Sequence, residues 1–282
     1  MLYVCPTPIG NLADVTLRVL ETLRRADLVA AEDTRRTRKL LSRYQIKRPL
    51  VSFHEHNERR RLPMLINRLQ RGESIALVSD AGMPGVCDPG YRLVGAALDE
   101  NLPVEVLPGP SAIETALVSS GLPTDSFVFL GYLPRKRGEL DMVLEQAAGL
   151  ERTSVAFESP LRLRATLGRA AAILGSRPMA VCRELTKKHE QVLRGSAGGL
   201  LSLLPEQVKG EVVLVFSGGG RNRLCPPGLG SASVQPPGME DSIRKMLAAG
   251  LTTREAANIA SGLAGMPRNE AYRVALAIKK NF

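Results

Sequence analysis

Short apolar runs alternate along the chain with longer segments whose apolar side chains recur every three to four positions. "LYVCPTP" (2–8), "LVAAEDT" (28–34), "PLVSFHE" (49–55), "SIALVSD" (74–80) and "PVEVLPG" (103–109) read as strands. Between them "DVTLRVLETLRRA", "RRTRKLLSRY", "RRLPMLINRLQRG" and "YRLVGAALDEN" read as helices, the first with Asp14 as its expected N-cap. "PSAIETALVSSG" follows as a helix with Pro110 near its first position, where the missing N–H costs nothing. This alternation predicts an α/β fold, its sheet covered by helices on both faces.

The style repeats with strands "FVFLGYL", "TSVAFES", "MAVCREL", "EQVLRGS" and "EVVLVFSG" and helices "ELDMVLEQAAG" and "LRLRATLGRAAAILG". Two α/β domains are therefore expected, at 1–118 and 119–217. "GGGRNRLCPPGLGSASVQPPG" (218–238) predicts a flexible linker. Beyond it, 239–282 predicts three short helices with helix-turn-helix spacing, Thr252 or Thr253 capping one and Pro267 preceding another. A packing appendage is the alternative for this tail.

Three strands end in Pro/Gly loops: "TPIGN" (7–11), "SDAGMPG" (79–85) and "PGPSA" (108–112). If the strands are parallel, the loops gather at one sheet edge and shape one pocket. Asp80 stands where its strand ends, and the Ser111 and Ala112 amides open a helix, placed to donate to a polar ligand group. No G-x-x-x-x-G-K-[ST], G-x-G-x-x-G or G-x-S-x-G occurs, so a P-loop, a dinucleotide fingerprint and a nucleophile elbow are excluded.

Charge adds a partner to this picture. The chain carries a net +10, and residues 35–71 alone hold twelve Lys/Arg against Glu55 and Glu58, which accounts for the whole excess. Concentrated positive charge points to a polyanion, with a solvated basic face as the plain alternative. Cys5, Cys87, Cys182 and Cys225 are scattered without a C-x-x-C pair, which predicts free thiols in a reducing compartment. "MLYVCPTPIGN" lacks an export signal, and no apolar run approaches the roughly 18 residues of a membrane span. The expected setting is the cytoplasm, with no membrane.

Within the basic window, "SFHEHNERRR" (52–61) would place His54 and His56 on one side of an extended segment. A catalytic metal needs a third protein ligand, and His189 is the only other histidine, so a substrate-facing loop without metal is expected. "AEDTRRTRKLL" adds Glu32, Asp33, Arg35 and Arg36 to the same region.

Eight stretches in order, "PTPIGNLAD", "AEDTRRTRKLL", "SFHEHNE", "LVSDAGMPGVCDPG", "LPGPSA", "GYLPRK", "FESP" and "CRELTKKHE", resemble the ribosomal-RNA methyltransferases of the tetrapyrrole methylase superfamily. The resemblance spans residues 2 to about 217, and the tail is similar to the helical piece that closes those proteins. It implies S-adenosylmethionine (SAM) held between two α/β domains, largely by backbone, in a homodimer. Pro8, Ile9, Gly10, Asp80, Gly82, Met83, Pro84, Ser111 and Ala112 would line the cofactor site. The implied reaction is methyl transfer to the 2′-hydroxyl of a cytidine ribose in the decoding region of 16S rRNA, in the small ribosomal subunit. Where the family often reads E-S-P-H-R, this chain has Leu161 in place of the histidine.

A ribose hydroxyl is a poor nucleophile until deprotonated, so the site must supply a base or a cation that stabilises the oxyanion. Glu32, Asp33, His54, Glu55 and His56 are the candidate bases and Arg35 or Lys188 the candidate cations, with the His54–Glu55–His56 loop favoured. Competing readings are a C-methyltransferase of small tetrapyrroles, a non-enzymatic RNA-binding module, and a metal hydrolase built on His54 and His56.

Overall fold

The structure is a computed structural model that describes residues 1–219, 243, 246–247, 251–264 and 268–279. The expected linker falls outside the described residues from 220 onward, as do Cys225, Pro267 and most of the first expected tail helix. The chain forms two compact units, Met1–Leu224 and Cys225–Phe282.

The first sheet contains β1 (Leu2–Val4), β2 (Leu28–Ala31), β3 (Leu50–Ser52), β4 (Ile75–Val78) and β5 (Val104–Val106) in the order β3-β2-β4-β1-β5. Every pairing is parallel. Alternation along a parallel strand sends side chains to both faces, and here both are covered. Ile75 and Leu77 of β4 join Leu65, Leu69 and Leu93, which come from α3 (Glu58–Gln70) and α4 (Tyr91–Asp99). Ala76 and Val78 join Val19, Leu23 and Leu41, from α1 (Leu17–Arg25) and α2 (Thr34–Arg43). That is why β4 reads as an unbroken apolar run.

Side chains cap the starts of α1 and α2, and two helix starts differ from the sequence reading. Asp14 does not cap α1; it lies in a 3-10 turn (Leu12–Asp14) after Asn11. The backbone stays extended through Val15 and Thr16, and the Thr16 hydroxyl accepts the Val19 N–H at 3.2 Å. Pro110 is not at the first helical position either, because α5 (Ala112–Ser120) begins after Ser111 as N-cap. Asp33 caps α2, accepting the Arg35 N–H at 2.8 Å.

The second sheet contains β6 (Phe127–Tyr132), β7 (Thr153–Glu158), β8 (Pro178–Arg183), β9 (Gln191–Ser196) and β10 (Val212–Phe216) in the order β6-β7-β10-β8-β9. Only β6 and β7 pair in parallel; the other pairings are antiparallel. One face is covered by α6 (Arg137–Gly149), α7 (Leu163–Leu174) and α8 (Ala197–Leu203). The sequence reading missed α8, whose "AGGLLSL" is short and carries two glycines that disfavour a helix. Over the other face lies α5, its Ala116 and Leu117 packed with Val155, Ala180, Cys182, Val213 and Val215. Ile9, from the loop after β1, joins the same cluster. The two sheets are thus joined by an apolar seam beside the loops that follow the parallel strands.

The second unit contains α9 (Thr253–Ala264) and α10 (Arg268–Lys279), packed through Ala257, Ala260, Ala275 and Ile278. Thr252 and Glu255 form a reciprocal capping box: the Thr252 hydroxyl accepts the Glu255 N–H at 3.3 Å, and the Glu255 carboxylate accepts the Thr252 N–H at 2.9 Å.

Candidate functional site

Because the first sheet is all parallel, the segments after β1 to β5 lie at one edge, the ligand edge of an open α/β sheet. They enclose two neighbouring cavities. One, of about 730 Å³, is lined by Ile9, Asp80, Gly82, Met83 and Pro108 to Ala112 on one side and by Tyr132, Phe157, Glu158 and Val213 of the second sheet on the other. The second, of about 860 Å³, is lined by Asp33, Arg35, His54, Glu55, His56, Glu58, Tyr91 and Arg92. Glu32, Asp80 and Asp88 line both.

The loop after β4 is shaped by backbone pairing. Thr7 and Gly82 exchange both N–H···O bonds at 2.9 Å, which clamps the loops after β1 and β4 together. Gly82 needs a positive φ, +79°, to make this bridge. Six of the nine residues expected at the cofactor therefore meet at the 730 Å³ cavity: Ile9, Asp80, Gly82, Met83, Ser111 and Ala112. Pro8, Gly10 and Pro84 are not among its lining. Pro8 and Pro84 are buried beneath their loops, and Gly10 packs on the segment after β8, where a Cβ would lie 2.5 Å from Lys187 Cγ.

The carboxylates at the shared wall differ in what already holds them. Glu32 Oε2 accepts the Asp80 N–H at 3.0 Å, and Asp80 Oδ1 accepts the Asp33 N–H at 3.0 Å. Asp80 Oδ2 faces Arg36 Nε at 3.5 Å. Burial pushes the Glu32 carboxyl up, and the charge of Asp80 adds to the effect. Burial, then the charges of Glu32 and Asp80, push Asp88 up to about 7. The Tyr132 phenol is also raised, chiefly by burial and then by Asp88.

The favoured catalytic loop takes a different form from the expected one. Residues 54–57 are a turn, not an extended segment: the Asn57 and Glu58 N–H groups both donate to the His54 carbonyl at 2.9 Å. The His54 and His56 rings meet edge to face, with centroids 6.0 Å apart. Asn57 Oδ1 accepts the His54 N–H at 2.9 Å, which orients the amide so that Nδ2 donates to His54 Nε2 at 2.9 Å. His54 therefore carries its proton on Nδ1, a buried atom with no hydrogen-bond partner, and its basic nitrogen is occupied. Glu55 and His56 are exposed at the rim.

Asp33 is capped into α2 and gripped by Arg35 at 2.7 Å, which holds its carboxyl well below the usual range. This pair braces a helix start, and a carboxylate so stabilised is a weak base. Lys188 is exposed and lines neither cavity. At the far rim of the larger cavity, Arg92 pairs with Glu58 at 3.0 Å and lies over the Tyr91 ring, 5.6 Å from its centroid. Tyr91 itself is 62% exposed.

Sequence reasoning named neither Asp88, Arg92 nor Tyr132 among the site candidates, though all three line these cavities. The signal for Asp88 was its own "CDPG", a charged residue inside the longest Pro/Gly loop. Leu161, where the family often has His, is 91% exposed. Its neighbours instead form a buried constellation. The Glu158 carboxylate accepts from the Ser159 N–H at 2.6 Å and the Thr166 hydroxyl at 2.5 Å, and pairs with Arg162 at 2.5 Å.

Comparison with known proteins gives this geometry a family. Residues 1–201 match the tetrapyrrole (corrin/porphyrin) methylases. A Halalkalibacterium halodurans protein named ribosomal RNA small subunit methyltransferase I is 42% identical over 97% of this chain and 93% of its own length. A Synechocystis protein of the same name is 43% identical over 99% of this chain and 98% of its own. Among solved structures, uroporphyrin-III C-methyltransferase from Thermus thermophilus, complexed with S-adenyl homocysteine, superposes with a TM-score of 0.55 at 18% identity, covering 77% of this chain and 96% of that one. With two thirds of its length matched by the family and full-length relatives above 40% identity, the chain belongs to the tetrapyrrole methylase family and is a SAM-dependent methyltransferase.

Proposed function

We propose that this enzyme methylates the 2′-hydroxyl of a cytidine ribose in the decoding region of 16S rRNA, within the small ribosomal subunit. The observation that carries the reading is the pair of adjoining cavities with one shared carboxylate wall. The relatives' name, ribosomal RNA small subunit methyltransferase, supports the choice of substrate.

The residues around the 730 Å³ cavity fit SAM. Its volume lies within the roughly 300–1,000 Å³ of small-molecule pockets. Asp80, Glu114 and Glu211 line it with negative charge, suited to a ligand that carries a sulfonium and an ammonium. First-turn N–H groups of a helix lack intrahelical partners, and the Ser111 side chain does not cap those of α5, which leaves them for a ligand carboxylate. Phe157 and Tyr132, stacked edge to face at 5.3 Å, give the same cavity an aromatic wall. SAM, when bound, supplies a methyl group on a positively charged sulfur.

The larger cavity takes the nucleotide. It opens between the start of α2 and the start of α3, the two helices that carry most of the basic window. Exposed Tyr91 offers a face for a base to stack on, and Arg38, Lys39, Arg59 and Arg60, exposed on the two flanking helices, bring positive charge for phosphate. Main chain and carboxylates at the shared wall hold the ribose oxygen in line with the methyl donor, an alignment that itself lowers the barrier. The reading includes residues 1–118 and 119–217 as the two walls of the cleft, a cytoplasmic homodimer, and the 239–282 tail as an added grip on the ribosomal particle. Light scattering of the purified chain tests the dimer.

The test of substrate and reaction is methyl transfer from labelled SAM to small subunits that lack the modification, followed by nuclease digestion and mass spectrometry. A 2′-O-methylcytidine is the expected product. A methyl on a base, or on no RNA at all with SAM still bound, would overturn the reading.

A further inference from the structure

The reaction proposed above needs a proton acceptor, and the structure eliminates most of the groups near the shared wall. Asp80 has one carboxylate oxygen on the Asp33 N–H and the other facing Arg36. Glu32 gives one oxygen to the Asp80 N–H, a bond that stabilises its charged form and so weakens it as a base. The basic nitrogen of His54 is filled by Asn57. Asp88 remains: it lines both cavities, and it is in no ion pair among the described residues. We propose that Asp88 is the general base of methyl transfer, taking the proton of the 2′-hydroxyl as that oxygen attacks. This inference rests on the ribose-methylation reading.

The backbone around Asp88 is built to hold it there. Cys87 on one side has φ +59°, and Gly90 two residues on has φ +139°. Gly90's φ of +139° strains any other residue, and a Cβ there would lie 2.9 Å from Leu77 Cδ2 of β4, so the loop presses close against the strand end. The groups that face the carboxyl are Glu32 at the end of β2, Asp80 at the end of β4, Ser79 beside it, and Cys87 and Tyr132. Of the nearby arginines, Arg36 is directed at Asp80 and Arg35 is paired with Asp33. Burial and the charges of Glu32 and Asp80, partly offset by a hydrogen bond from Ser79, leave Asp88 near 7, where a general base is most effective at neutral pH.

The step balances without any further reactant. The ribose O–H bond breaks and its proton passes to an Asp88 carboxylate oxygen. The electron pair of that bond stays on the 2′-oxygen, which forms the new O–CH₃ bond. The S–CH₃ bond breaks with its pair going to sulfur, so the sulfonium becomes a neutral thioether. Asp88 then returns its proton to water through the larger cavity.

The test compares wild type with Asp88→Asn and Asp88→Glu in the full chain, on unmodified small subunits and labelled SAM, under single-turnover conditions. The expected result is a fall in the transfer rate of about 10²–10⁴-fold for Asp88→Asn, the usual contribution of a general base. SAM affinity by calorimetry stays within about twofold, which also shows that the variant is folded. Wild-type rate rises with pH up to about 7 and then levels; the rise is absent in Asp88→Asn and returns, shifted, in Asp88→Glu. Carbon-13 carboxyl NMR of the cofactor-free protein shows one aspartate titrating near 7 that disappears in Asp88→Asn. An Asp88→Asn variant within tenfold of wild type, with the pH rise intact, overturns the assignment. So does a loss of SAM affinity as large as the loss of rate, which would make Asp88 a cofactor-binding group. A wild-type protein that methylates no RNA refutes the substrate reading instead, a separate outcome.

Discussion

Asp88 illustrates how a functional group costs the fold stability. A carboxyl raised by burial keeps its proton in the folded chain, while in the unfolded chain it ionises with a pKa of about 3.9. Between that value and about 7 the folded state binds more protons, so stability falls as pH rises through this window. Asparagine removes the titration. Asp88→Asn should therefore match wild type in Tm near pH 4 and exceed it at pH 8, by about 2–4 °C once solvent screening of this half-buried group is allowed for. Differential scanning calorimetry at the two pH values decides it, and a gap that does not grow with pH would sink the argument. Glu158 poses the opposite case, since its side chain is fully buried and its charge is matched by Arg162, Thr166 and the Ser159 amide. Arg162→Ala strands that charge and should cost about 3–5 kcal/mol in urea unfolding, against much less for Glu158→Gln. Leu161, beside it but solvent-exposed, should accept histidine or alanine with a change within about 0.5 kcal/mol and no effect on SAM affinity.

Loops after the parallel strands do the work that motifs do in other nucleotide-binding folds, and Gly82 is their tightest joint. Its bridge to Thr7 requires φ +79°, while a Cβ would meet nothing closer than Ile9 Cγ2 at 3.6 Å. Gly82→Ala should thus cost only the left-handed strain, about 1–2 kcal/mol, and weaken SAM binding by shifting the loop. Calorimetry that finds full SAM affinity at unchanged stability would show the bridge to be dispensable. The strands and helices of both sheets were legible because burial imposes its period locally: Ile75 to Val78 is apolar since both faces of β4 are covered. What was illegible depends on partners far along the chain. Asp80 was visible as a strand-end residue, but its ties to Glu32 and Asp33 join positions almost 50 residues apart. His54 looked like a base until Asn57, a neighbour with several possible roles, proved to occupy its nitrogen. Likewise α5 reads as one more helix of the first sheet, and only the three-dimensional pairing of Ala116 and Leu117 with β8 and β10 moves it to the second. Asp88 had no periodic or pairwise signal at all, because its significance comes from two cavities that meet beside it.

Charge is distributed on the same plan. Residues 35–71 carry the net +10 of the chain, and folding turns that window into α2, β3 and α3, which flank the opening of the 860 Å³ cavity. Most of these side chains stay free for a polyanion: Arg38, Lys39, Arg59 and Arg60 are exposed and in no ion pair among the described residues. Arg35 and Arg36 are instead spent on Asp33 and Asp80, so the cations nearest the chemistry are structural and those farther out are the ones available to RNA. Each phosphate neutralised on RNA releases counterions and steepens the dependence of log K on log salt by about 0.7–0.9. Replacing Arg38, Lys39, Arg59 and Arg60 by glutamine should therefore make that slope shallower by about three, measured with small subunits or their rRNA between 50 and 200 mM salt. SAM affinity should not change, because none of the four lines the 730 Å³ cavity. A slope equal to that of wild type would mean that the RNA approaches another face, and the nucleotide assigned to the larger cavity would have to enter by a different route.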